Sequence, residues 1–388
     1  MIPISYNLRS LGVRKLTAAF TVLGVALVTL VFASSLMLAR GADRAVSTNG
    51  RDDVAVIVRK GSDAELPSVL GEDVVQAALA SPAVKRDGAG DPIRAAEVVV
   101  VVALPKKGSP GLSNVTIRGV DQGSYALRPG VRIVEGRAPA PGTDEAAIGR
   151  RIRGRFEGLD LGGTIELRKN RPLTIVGVLD GAGDAADSEL WADRDTVRSA
   201  FGREGTVSSV RVPLTSASEF DGIKAALESD KRLSVGVERE RVFLERQCEG
   251  LGLFLRVMGM VVATLFSVGA MIGATITMHG AIAHRKREIG TLRALGFSRS
   301  AILTGFLFEA MLLTLAGGLV GALLSLSLSF VEVSMVNQAS WSELVFTFSP
   351  TPGILIAALV FAAGMGLCGG FLPAVRASRI SPLAALRS

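Results

Sequence analysis

Residues 257–283 read V-M-G-M-V-V-A-T-L-F-S-V-G-A-M-I-G-A-T-I-T-M-H-G-A-I-A, and no acidic residue, lysine or arginine interrupts them. The basic sequence Arg285-Lys286-Arg287 follows almost at once. A helix rises about 1.5 Å per residue, so roughly 20 apolar residues cross a hydrocarbon core about 30 Å thick. Basic residues beside a span favour its cytoplasmic side. The run therefore predicts a transmembrane helix, TM2, whose carboxyl end lies in the cytoplasm.

Three further apolar runs predict three more spans. They are residues 16–39 (TM1), residues 301–331 with one break at Glu309 (TM3), and Leu344–Val375, within which we predict TM4 over 351–375. Basic residues stand before the first run, around the start of the third and after the last: Arg9, Arg14, Lys15, Arg293, Arg299, Arg376, Arg379 and Arg387. The positive-inside rule then puts both ends of the chain in the cytoplasm and residues 40–256 outside.

The segments between the spans follow from the same topology. We predict an interfacial segment over 1–15, a cytoplasmic helix over 284–299, a short periplasmic loop over 332–350 and a cytoplasmic tail over 376–388. The first apolar run has 24 residues, whereas the core of a cleaved signal peptide has roughly 7–15. We therefore interpret residues 16–39 as a membrane anchor.

The formal charge of +7 does not indicate nucleic-acid binding. Residues 40–256 contain equal numbers of basic and acidic residues, so the whole excess lies beside the apolar runs. There it sets the topology and attracts anionic lipids. The hydrophobic share of 48% and the mean hydropathy of +0.41 agree with a chain that is half in the membrane.

Two strand–helix–strand patterns bracket the segment outside the membrane, over 50–104 and 206–240. Repeated units of this kind favour an α+β domain assembled from both ends of the segment. The predicted strands are Val54–Val58, Val98–Val102, Ser208–Val212 and Ser234–Val237, and the predicted helices are Val69–Leu79 and Ser218–Glu228.

Residues 105–205, between the two halves, predict a β-rich inserted lobe. Short β-like runs separated by Gly and Pro occur at Val115–Ile117, Arg132–Val134, Thr164–Leu167 and Leu173–Leu179. The Gly- and Ala-rich stretch Asp180–Asp187 predicts a mobile loop. Residues 241–256 have helical spacing and predict a stalk that continues into TM2.

The motifs of an enzyme are missing from the sequence. It contains no G-x-x-x-x-G-K-[ST], H-E-x-x-H, C-x-x-C or G-x-S-x-G. Its two histidines, His279 and His284, lie near the inner end of TM2, where interfacial polar residues are common. We therefore predict no catalytic residue, no metal site and no cofactor bound by this chain.

Glu309 is the only acidic residue within the four predicted spans, and they hold no lysine or arginine. Ionisable residues inside a membrane often mark a transport path. Two interpretations stay open: structural pairing with an arginine of the 284–299 segment, or a direct role in coupling. With no other such residue, the spans do not favour an aqueous pore or an ion-coupled carrier.

Three pairs of glycines have the G-x-x-x-G spacing that lets helices approach closely in lipid. They are Gly269 and Gly273, Gly317 and Gly321, and Gly366 and Gly370. They favour a tight bundle, packed either within one chain or between two.

The cytoplasmic segment 284–299 reads H-R-K-R-E-I-G-T-L-R-A-L-G-F-S-R. Ile289, Leu292 and Leu295 recur every three residues, which predicts a helix with one apolar edge and a basic opposite face. Gly296 suits a helix stop, and Ser298 suits the cap of the next helix. The apolar edge favours docking on another protein, with a helix lying on the membrane surface as the alternative.

Taken together, three motifs resemble the FtsX-like/MacB-type ABC transporter permeases. They are R-E-I-G-T-L-R-A-L-G over 287–296, Glu309-Ala310, and L-P-A-V-R-A-S-R-I-S-P-L-A-A-L-R over 372–387. The start N-L-R-S-L-G-V-R-K over 7–15 is also similar, and the order of one span, a large domain and three spans matches throughout. The resemblance implies split porter-like halves with an inserted lobe.

The same resemblance implies partners and roles. Two permease copies would pair, as a homodimer or heterodimer, and a separate ABC ATPase subunit would bind ATP and Mg and dock on each copy. Residues 284–299 would form the coupling helix, with Arg287, Glu288, Ile289, Leu292, Arg293 and Leu295 as contacts. The chain resembles stand-alone permeases of lipoprotein-releasing, glycolipid and efflux systems of the bacterial inner membrane, which act by mechanotransmission and in some cases with a periplasmic adaptor.

Two further functions stay open at this stage. One is an FtsX-like signalling subunit that regulates a periplasmic cell-wall hydrolase without transport. The other is a membrane receptor that works without an ATPase, which leaves the 284–299 helix without a partner. The leading expectation is export or extraction of a hydrophobic or amphipathic molecule, such as a lipoprotein, lipid or drug.

Overall fold

The structure is a computed structural model that describes residues 15–47, 50–337 and 340–380. The predicted interfacial segment, apart from Lys15, and most of the predicted tail lie outside these residues. Its helices are α1 (Lys15–Ser47), α2 (Glu72–Leu79), α3 (Gln122–Leu127), α4 (Arg194–Phe201), α5 (Phe220–Ser229), α6 (Glu240–His284), α7 (Lys286–Ala294), α8 (Arg299–Leu326) and α9 (Pro352–Ser378). Its strands are β1 (Val54–Arg59), β2 (Leu70–Gly71), β3 (Ala95–Pro105), β4 (Leu112–Val120), β5 (Arg132–Gly136), β6 (Glu145–Gly149), β7 (Thr164–Arg168), β8 (Arg171–Asp180), β9 (Glu189–Asp193), β10 (Thr206–Val207), β11 (Ser209–Pro213), β12 (Val235–Arg239), β13 (Glu332–Asn337) and β14 (Ser342–Thr347).

These elements divide into two units, each described by itself. The membrane unit contains residues 15–40, 253–331 and 347–380, and the extracytoplasmic unit contains residues 41–252 and 332–346. Four helices of the described residues are long and apolar enough to cross a membrane: Ala18–Ala45, Gly250–His284, Arg299–Phe330 and Pro352–Ser378. The predicted fold class, four transmembrane helices with an α+β domain, is confirmed.

Two buried apolar clusters hold the membrane unit together. In one, Val25 and Val28 of α1 pack against Ala362 and Met365 of α9. Beside it the rings of Phe32 and Phe361 stack, with centroids 4.4 Å apart. The other joins four helices and consists of Met278, Ile282, Ile289, Ile302, Phe306, Ala310, Ala374 and Ala377. Tight packing replaces the hydrophobic effect as the force between helices in lipid.

One ten-stranded sheet forms the frame of the extracytoplasmic unit. Its order is β12-β1-β11-β3-β4-β9-β6-β8-β5, with β7 paired to β8. Strand β1 lies between β11 and β12 and runs antiparallel to both, which joins the two predicted halves. The β3–β4 hairpin then carries the same sheet into the predicted lobe. The halves and the lobe are therefore parts of one sheet.

The predicted strands lie where regular structure occurs, but sequence reasoning missed α3, α4, β6, β9 and β10. The loop after β8, predicted to be mobile, ends in a short 3-10 turn over Ala185–Ser188. That loop closes around Asp187, which is fully buried and accepts hydrogen bonds from the backbone N–H groups of Gly181 (2.7 Å) and Gly183 (2.9 Å). This buried carboxylate ties its own loop together through backbone hydrogen bonds, and the mobility of the loop stays a prediction.

The structure of the segment between α8 and α9 also differs from the prediction. We expected a short loop over 332–350 and an apolar run beginning at Leu344, but Glu332–Asn337 and Ser342–Thr347 pair as the β13–β14 hairpin. Leu344, Val345 and Phe346 are buried in the extracytoplasmic unit, so their hydrophobicity serves that core. Thr351 then caps α9 through its side-chain oxygen.

Candidate functional site: the α6–α7 junction and a buried charge cluster

The chain makes a turn between α6 and α7, at Arg285. Helix α6 ends at His284 and α7 begins at Lys286. Gly296, with φ of +92°, follows the end of α7 in a left-handed conformation that glycine adopts without strain. Ser298 caps α8 by accepting a hydrogen bond from the Ala301 N–H at 3.1 Å. The helix stop and the cap predicted from the sequence are both confirmed.

Arg285 and Glu309 form a buried ion pair at this junction. Arg285 Nη1 donates to Glu309 Oε2 at 3.1 Å, and Arg285 Nε donates to Glu288 Oε2 at 3.0 Å. The guanidinium also lies 5.5 Å from the centre of the Phe306 ring. Arg285 is 7% exposed and Glu309 is 6% exposed. The pairing interpretation of Glu309 is therefore realised in the fold, while its coupling role stays a prediction.

The residues predicted to contact an ATPase lie on two sides of α7. One side packs against the membrane unit, and the other is at the surface. Ile289 is 2% exposed and packs with Ile302 and Phe306, so it holds α7 to the membrane unit and is not a surface contact in this structure. Leu295, by contrast, is 78% exposed. Leu292 is half-buried. The predicted apolar edge thus lies partly against the protein's own helices and partly at the surface.

The charged members of the predicted set lie mainly on the outer side. Arg287 and Glu288 are exposed. Arg293 is half-buried and donates from Nη1 to the Phe297 carbonyl oxygen at 3.1 Å, which fixes the turn after α7. The exposed surface of α7 is therefore basic at its start and apolar at its end, near Leu295.

Two of the three predicted glycine pairs lie at helix contacts. A Cβ atom added at Gly317 of α8 would stand 2.7 Å from the Val22 carbonyl oxygen of α1, and one at Gly321 would collide with the Ala26 carbonyl oxygen. These glycines therefore let α8 touch the backbone of α1.

The pair Gly366 and Gly370 lies where α9 contacts α8, whereas the pair Gly269 and Gly273 lies at no such contact. A Cβ at Gly366 would collide with the Thr314 side chain, and one at Gly370 would stand 2.6 Å from Ala310 Cβ. A Cβ at Gly269 or Gly273 of α6 would meet no described atom within 4 Å. The face of α6 that carries these two glycines is therefore open with respect to the described residues.

A cluster of seven charged residues, six of them buried, crosses one face of the extracytoplasmic sheet, and sequence reasoning missed it. Arg118 of β4 donates to Glu189 from Nε and Nη2, both at 2.8 Å. Its Nη1 donates to Glu65 at 2.9 Å and to Glu97 at 2.7 Å. Arg118 is only 7% exposed, so one guanidinium binds carboxylates from three separate segments.

Arg211 of β11 extends this charge cluster to the start of α6. Its Nη1 donates to Glu65 and Glu97, each at 2.7 Å, and its Nε donates to Glu240 at 3.2 Å. Arg128 completes the cluster with two hydrogen bonds to Glu97, at 2.5 and 2.9 Å. The members are Glu65, Glu97, Arg118, Arg128, Glu189, Arg211 and Glu240.

The arginines keep two of the buried carboxylates, Glu65 and Glu97, ionised. Burial by itself raises the pKa of Glu65, but the charges of Arg118 and Arg211 outweigh it and lower that pKa from 4.5 to about 2. Burial likewise opposes ionisation of Glu97, yet Arg128, Arg211 and Arg118 hold its pKa well below 4.5. Such a network tolerates poorly the loss of a single member, because the others are left buried and unpaired.

Glu240 also links two segments of the extracytoplasmic unit, residues 50–53 and 239–241. It is the first residue of α6, and its Oε2 accepts a hydrogen bond from the Arg51 N–H at 3.3 Å. Arg241 Nη2 bonds Asp52 at 3.1 Å, and a Cβ at Gly50 would stand 2.7 Å from Arg241 Cα. Residues 50–53 and 239–241 are therefore held in close contact.

The β13–β14 hairpin is anchored by a second buried carboxylate, Glu343. It accepts from Lys106 Nζ at 3.1 Å, from Ser113 Oγ at 3.0 Å and from Ser334 Oγ, and it pairs with Arg155 Nη2 at 3.1 Å. With only 3% of its side chain exposed, Glu343 binds the hairpin to the β3–β4 turn.

The comparisons with known proteins agree with this architecture. Residues 16–230 match the MacB-like periplasmic core domain, and residues 260–382 match the FtsX-like permease C-terminal domain. The fold and the two matches define a multi-pass membrane protein with a periplasmic or extracellular domain. The chain belongs to the FtsX-like ABC transporter permeases with a MacB-like periplasmic core domain, a family whose members are typically non-catalytic membrane subunits.

Several relatives share part of this chain. An uncharacterized ABC transporter permease of Methanocaldococcus jannaschii is 25% identical over 56% of this chain and 56% of its own length. The uncharacterized ABC transporter permease YknZ of Bacillus subtilis is 29% identical, over 56% of this chain and 54% of its own. The macrolide export ATP-binding/permease protein MacB of Nitrosomonas europaea is 31% identical, over 56% of this chain and 33% of its own. The chain thus spans about half of the first two relatives and a third of the last.

Solved structures of extracytoplasmic regions are also similar. The extracellular domain of YknZ covers 48% of this chain and 99% of that domain, at 18% identity and a TM-score of 0.36. The periplasmic region of MacB from Actinobacillus actinomycetemcomitans covers 51% of this chain and 92% of that region, at 13% identity and a TM-score of 0.38.

Proposed function

We propose that this chain is the permease subunit of an ABC transporter energised by a separate ATPase that docks on α7. The observation that carries the proposal is the two-sided arrangement of α7. Ile289 and Arg285 fix the helix to α8, while Leu295 and the basic residues at its start face outward. A partner bound to the outer side would then move α7 and α8 as one body.

The substrate class proposed is a hydrophobic or amphipathic molecule, such as a lipoprotein, lipid or drug, taken from the membrane or the periplasm. Glu309 is the one acidic residue of the predicted spans, and it is buried in a pair with Arg285. That environment does not support a hydrated path for ions. It supports mechanotransmission, in which movement driven by ATP at α7 passes along α6, a continuous helix of 45 residues.

Further parts of the proposal concern the assembly. The open face of α6 around Gly269 and Gly273 supports pairing with a second permease copy, because small residues on a bare helix face favour close helix contact in lipid. The protein would lie in a bacterial inner membrane with anionic lipids around its basic ends. A periplasmic adaptor is a further proposed partner.

Affinity purification from native membranes tests this function. The tagged full-length protein is extracted in mild detergent, and the proteins bound to it are identified by mass spectrometry. Recovery of a P-loop ATPase, with ATP hydrolysis in the eluate, is the expected result. Recovery of a cell-wall hydrolase with the ATPase, and no transport in vesicles, would replace export by signalling. Repeated absence of any ATPase would contradict the proposal.

A further inference from the structure

A chain of hydrogen bonds joins the cytoplasmic ends of α6 and α9, and it ends in a guanidinium group. Thr275 Oγ1 donates to the Gly369 carbonyl oxygen at 3.0 Å. His279 Nδ1 lies 2.8 Å from the Thr275 carbonyl oxygen, and His279 Nε2 lies 2.9 Å from Arg376 Nη1. A carbonyl oxygen can only accept, so Nδ1 carries the ring proton and Nε2 accepts from Arg376. The histidine is therefore neutral, and it orients the arginine without cancelling its charge.

Arg379 places a second cation beside Arg376. It follows the last residue of α9 in a helical conformation, and residues three apart on a helix are neighbours, with Cβ atoms about 5–6 Å apart. Both arginines are exposed. In the described part of the membrane unit the acidic residues are Glu288 and Glu309, and both bind Arg285. The two arginines of α9 therefore have no carboxylate partner among the described residues of this unit.

The surface that leads to these cations is apolar. One turn before Arg376, Leu372 of α9 is 63% exposed, and one turn before His279, Ile276 of α6 is 66% exposed. In helices that cross a membrane, such exposed apolar side chains suit contact with acyl chains. Arg376 thus lies where the apolar surface ends on the cytoplasmic side, within reach of the head groups of the inner leaflet.

A lipid phosphate complements this site better than a second copy of the chain does. The membrane unit of a second copy would bring further basic residues, while its two acidic residues already bind its own Arg285. A phosphate group carries the opposite charge and accepts two parallel hydrogen bonds from one guanidinium. Nε and Nη2 of Arg376 make no hydrogen bond with a described residue and are available for it.

We propose that Arg376, Arg379 and His279 form a binding site for the phosphate group of an anionic phospholipid in the inner leaflet. The two guanidinium groups favour a lipid with a net negative charge over a zwitterionic one, whose ammonium group they repel. Basic pockets between transmembrane helices on the cytoplasmic side suit anionic head groups in general. The inference goes beyond the proposed docking of an ATPase, because it concerns a lipid on α6 and α9 and not a protein on α7.

Native mass spectrometry of the full-length protein tests this site. The protein is delipidated in detergent and titrated with dioleoylphosphatidylglycerol. The matched lipid is dioleoylphosphatidylcholine, which has the same acyl chains and phosphodiester but carries an added ammonium group. We expect the anionic lipid to bind about tenfold more tightly, the usual effect of a charged hydrogen bond.

Three results of this titration would overturn the proposal. Equal binding of both lipids would remove the preference for a negative charge. Displacement of phosphatidylglycerol by an equal concentration of inorganic phosphate would assign the site to free phosphate. Absence of any retained phosphatidylglycerol would leave the site without its ligand.

Two variants locate the lipid on the protein. Arg376→Gln and Arg379→Gln should each weaken the binding of phosphatidylglycerol about tenfold, and both residues are exposed, so the fold does not depend on them. Arg299→Gln is the matched control, because it removes an exposed cation from the start of α8. It should bind the lipid as the parent does. Parent affinity in both α9 variants, or an equal loss in Arg299→Gln, would contradict a site at this position.

The role of His279 in orienting Arg376 has its own test. His279→Phe removes the acceptor at Nε2, whereas His279→Gln retains an acceptor in its side-chain carbonyl oxygen. We expect phosphatidylglycerol to bind several-fold more weakly to His279→Phe and close to parent affinity to His279→Gln. Equal affinities in these two variants would remove His279 from the site.

Discussion

Arg285 reaches from the break between α6 and α7 to Glu309 on α8, with 3.1 Å between Nη1 and Oε2. The pair joins the cytoplasmic helix to a transmembrane helix at a point where both residues are buried. A buried ion pair adds little net stability but constrains geometry, since breaking it leaves one charge unpaired. Movement of α7 is therefore tied to movement of α8.

Glu309→Gln should reduce ATP-driven activity several-fold more than it reduces the amount of protein in the membrane. The substitution removes the buried one of the two carboxylates that Arg285 binds and leaves the pair with Glu288, while the exposed surface of α7 is unchanged. The measurement is ATP hydrolysis by the purified complex, normalised to bound ATPase. Arg287→Gln, which removes an exposed charge on α7, controls for charge alone. Wild-type hydrolysis in Glu309→Gln would restrict the pair to a structural role.

Leu295→Asp should abolish association with the ATPase and leave membrane insertion intact. Leu295 is 78% exposed, so the fold does not depend on it, whereas a charge there opposes burial in an apolar groove. Leu292→Asp should act in the same direction, but Leu292 is half-buried and its loss also perturbs packing. Co-purification is the readout. Leu112→Asp, at a 70% exposed leucine of the extracytoplasmic unit, should retain the ATPase.

Gly321→Leu should disrupt the membrane unit, and Gly269→Leu should not. Any side chain at Gly321 meets the α1 backbone at Ala26, and such overpacking costs about 1–3 kcal/mol or more. A side chain at Gly269 meets nothing within 4 Å. The thermal stability of each variant in detergent, followed by size-exclusion chromatography, compares them. Equal losses in both would show that the α1–α8 contact is not close in the protein. A shift of Gly269→Leu from dimer to monomer would support the open face as an interface between copies.

Acid should destabilise the extracytoplasmic unit between about pH 4.5 and pH 2. The pKa of Glu65 is about 2 in the fold and 4.5 without its partners, so the unfolded chain takes up this proton first as the pH falls. The stabilisation is complete above pH 4.5 and lost as the pH approaches 2, and it amounts to about 3 kcal/mol for this residue.

Thermal unfolding of the full-length protein at pH 3, 4, 5 and 7 measures this effect. Melting temperatures should agree at pH 5 and 7 and fall below pH 4.5. Glu65→Gln should lower stability at pH 7 and flatten the acid dependence. Glu166→Gln, at an exposed position of β7, should keep the parent profile. A profile that is equally steep in Glu65→Gln would remove this carboxylate from the explanation.

The features that could be predicted from the sequence are those that depend on short segments of the chain alone. Long uncharged runs predict spans wherever they occur, and Gly296 and Ser298 mark helix ends through their own backbone and side chain. The resemblance of the loop and tail motifs to those of known permeases predicted the family to which the chain belongs. The β13–β14 hairpin was missed because buried strand residues such as Leu344 and Val345 have the same hydropathy as a span.

The charge cluster was hidden for a different reason. Arg118, Glu189 and Arg211 alternate with apolar residues in their strands, a pattern that ordinarily means one face in water. Only the pairing of β11, β3, β4 and β9, far apart in the chain, brings them together and covers them. Likewise, the spacing of Ile289, Leu292 and Leu295 predicts a single edge, but the turn at Arg285 decides which of them faces inward.

Site-specific photo-crosslinking from position 295 tests the central claim most directly. A benzophenone amino acid replaces Leu295 in the full-length protein, the native membranes are irradiated, and the crosslinked species are identified by mass spectrometry. The same probe at Leu112 is the control. The account predicts a crosslink from position 295 to a P-loop ATPase and none from position 112. Crosslinks from position 295 to lipid alone would mean that α7 lies on the membrane surface, and would contradict ATPase docking.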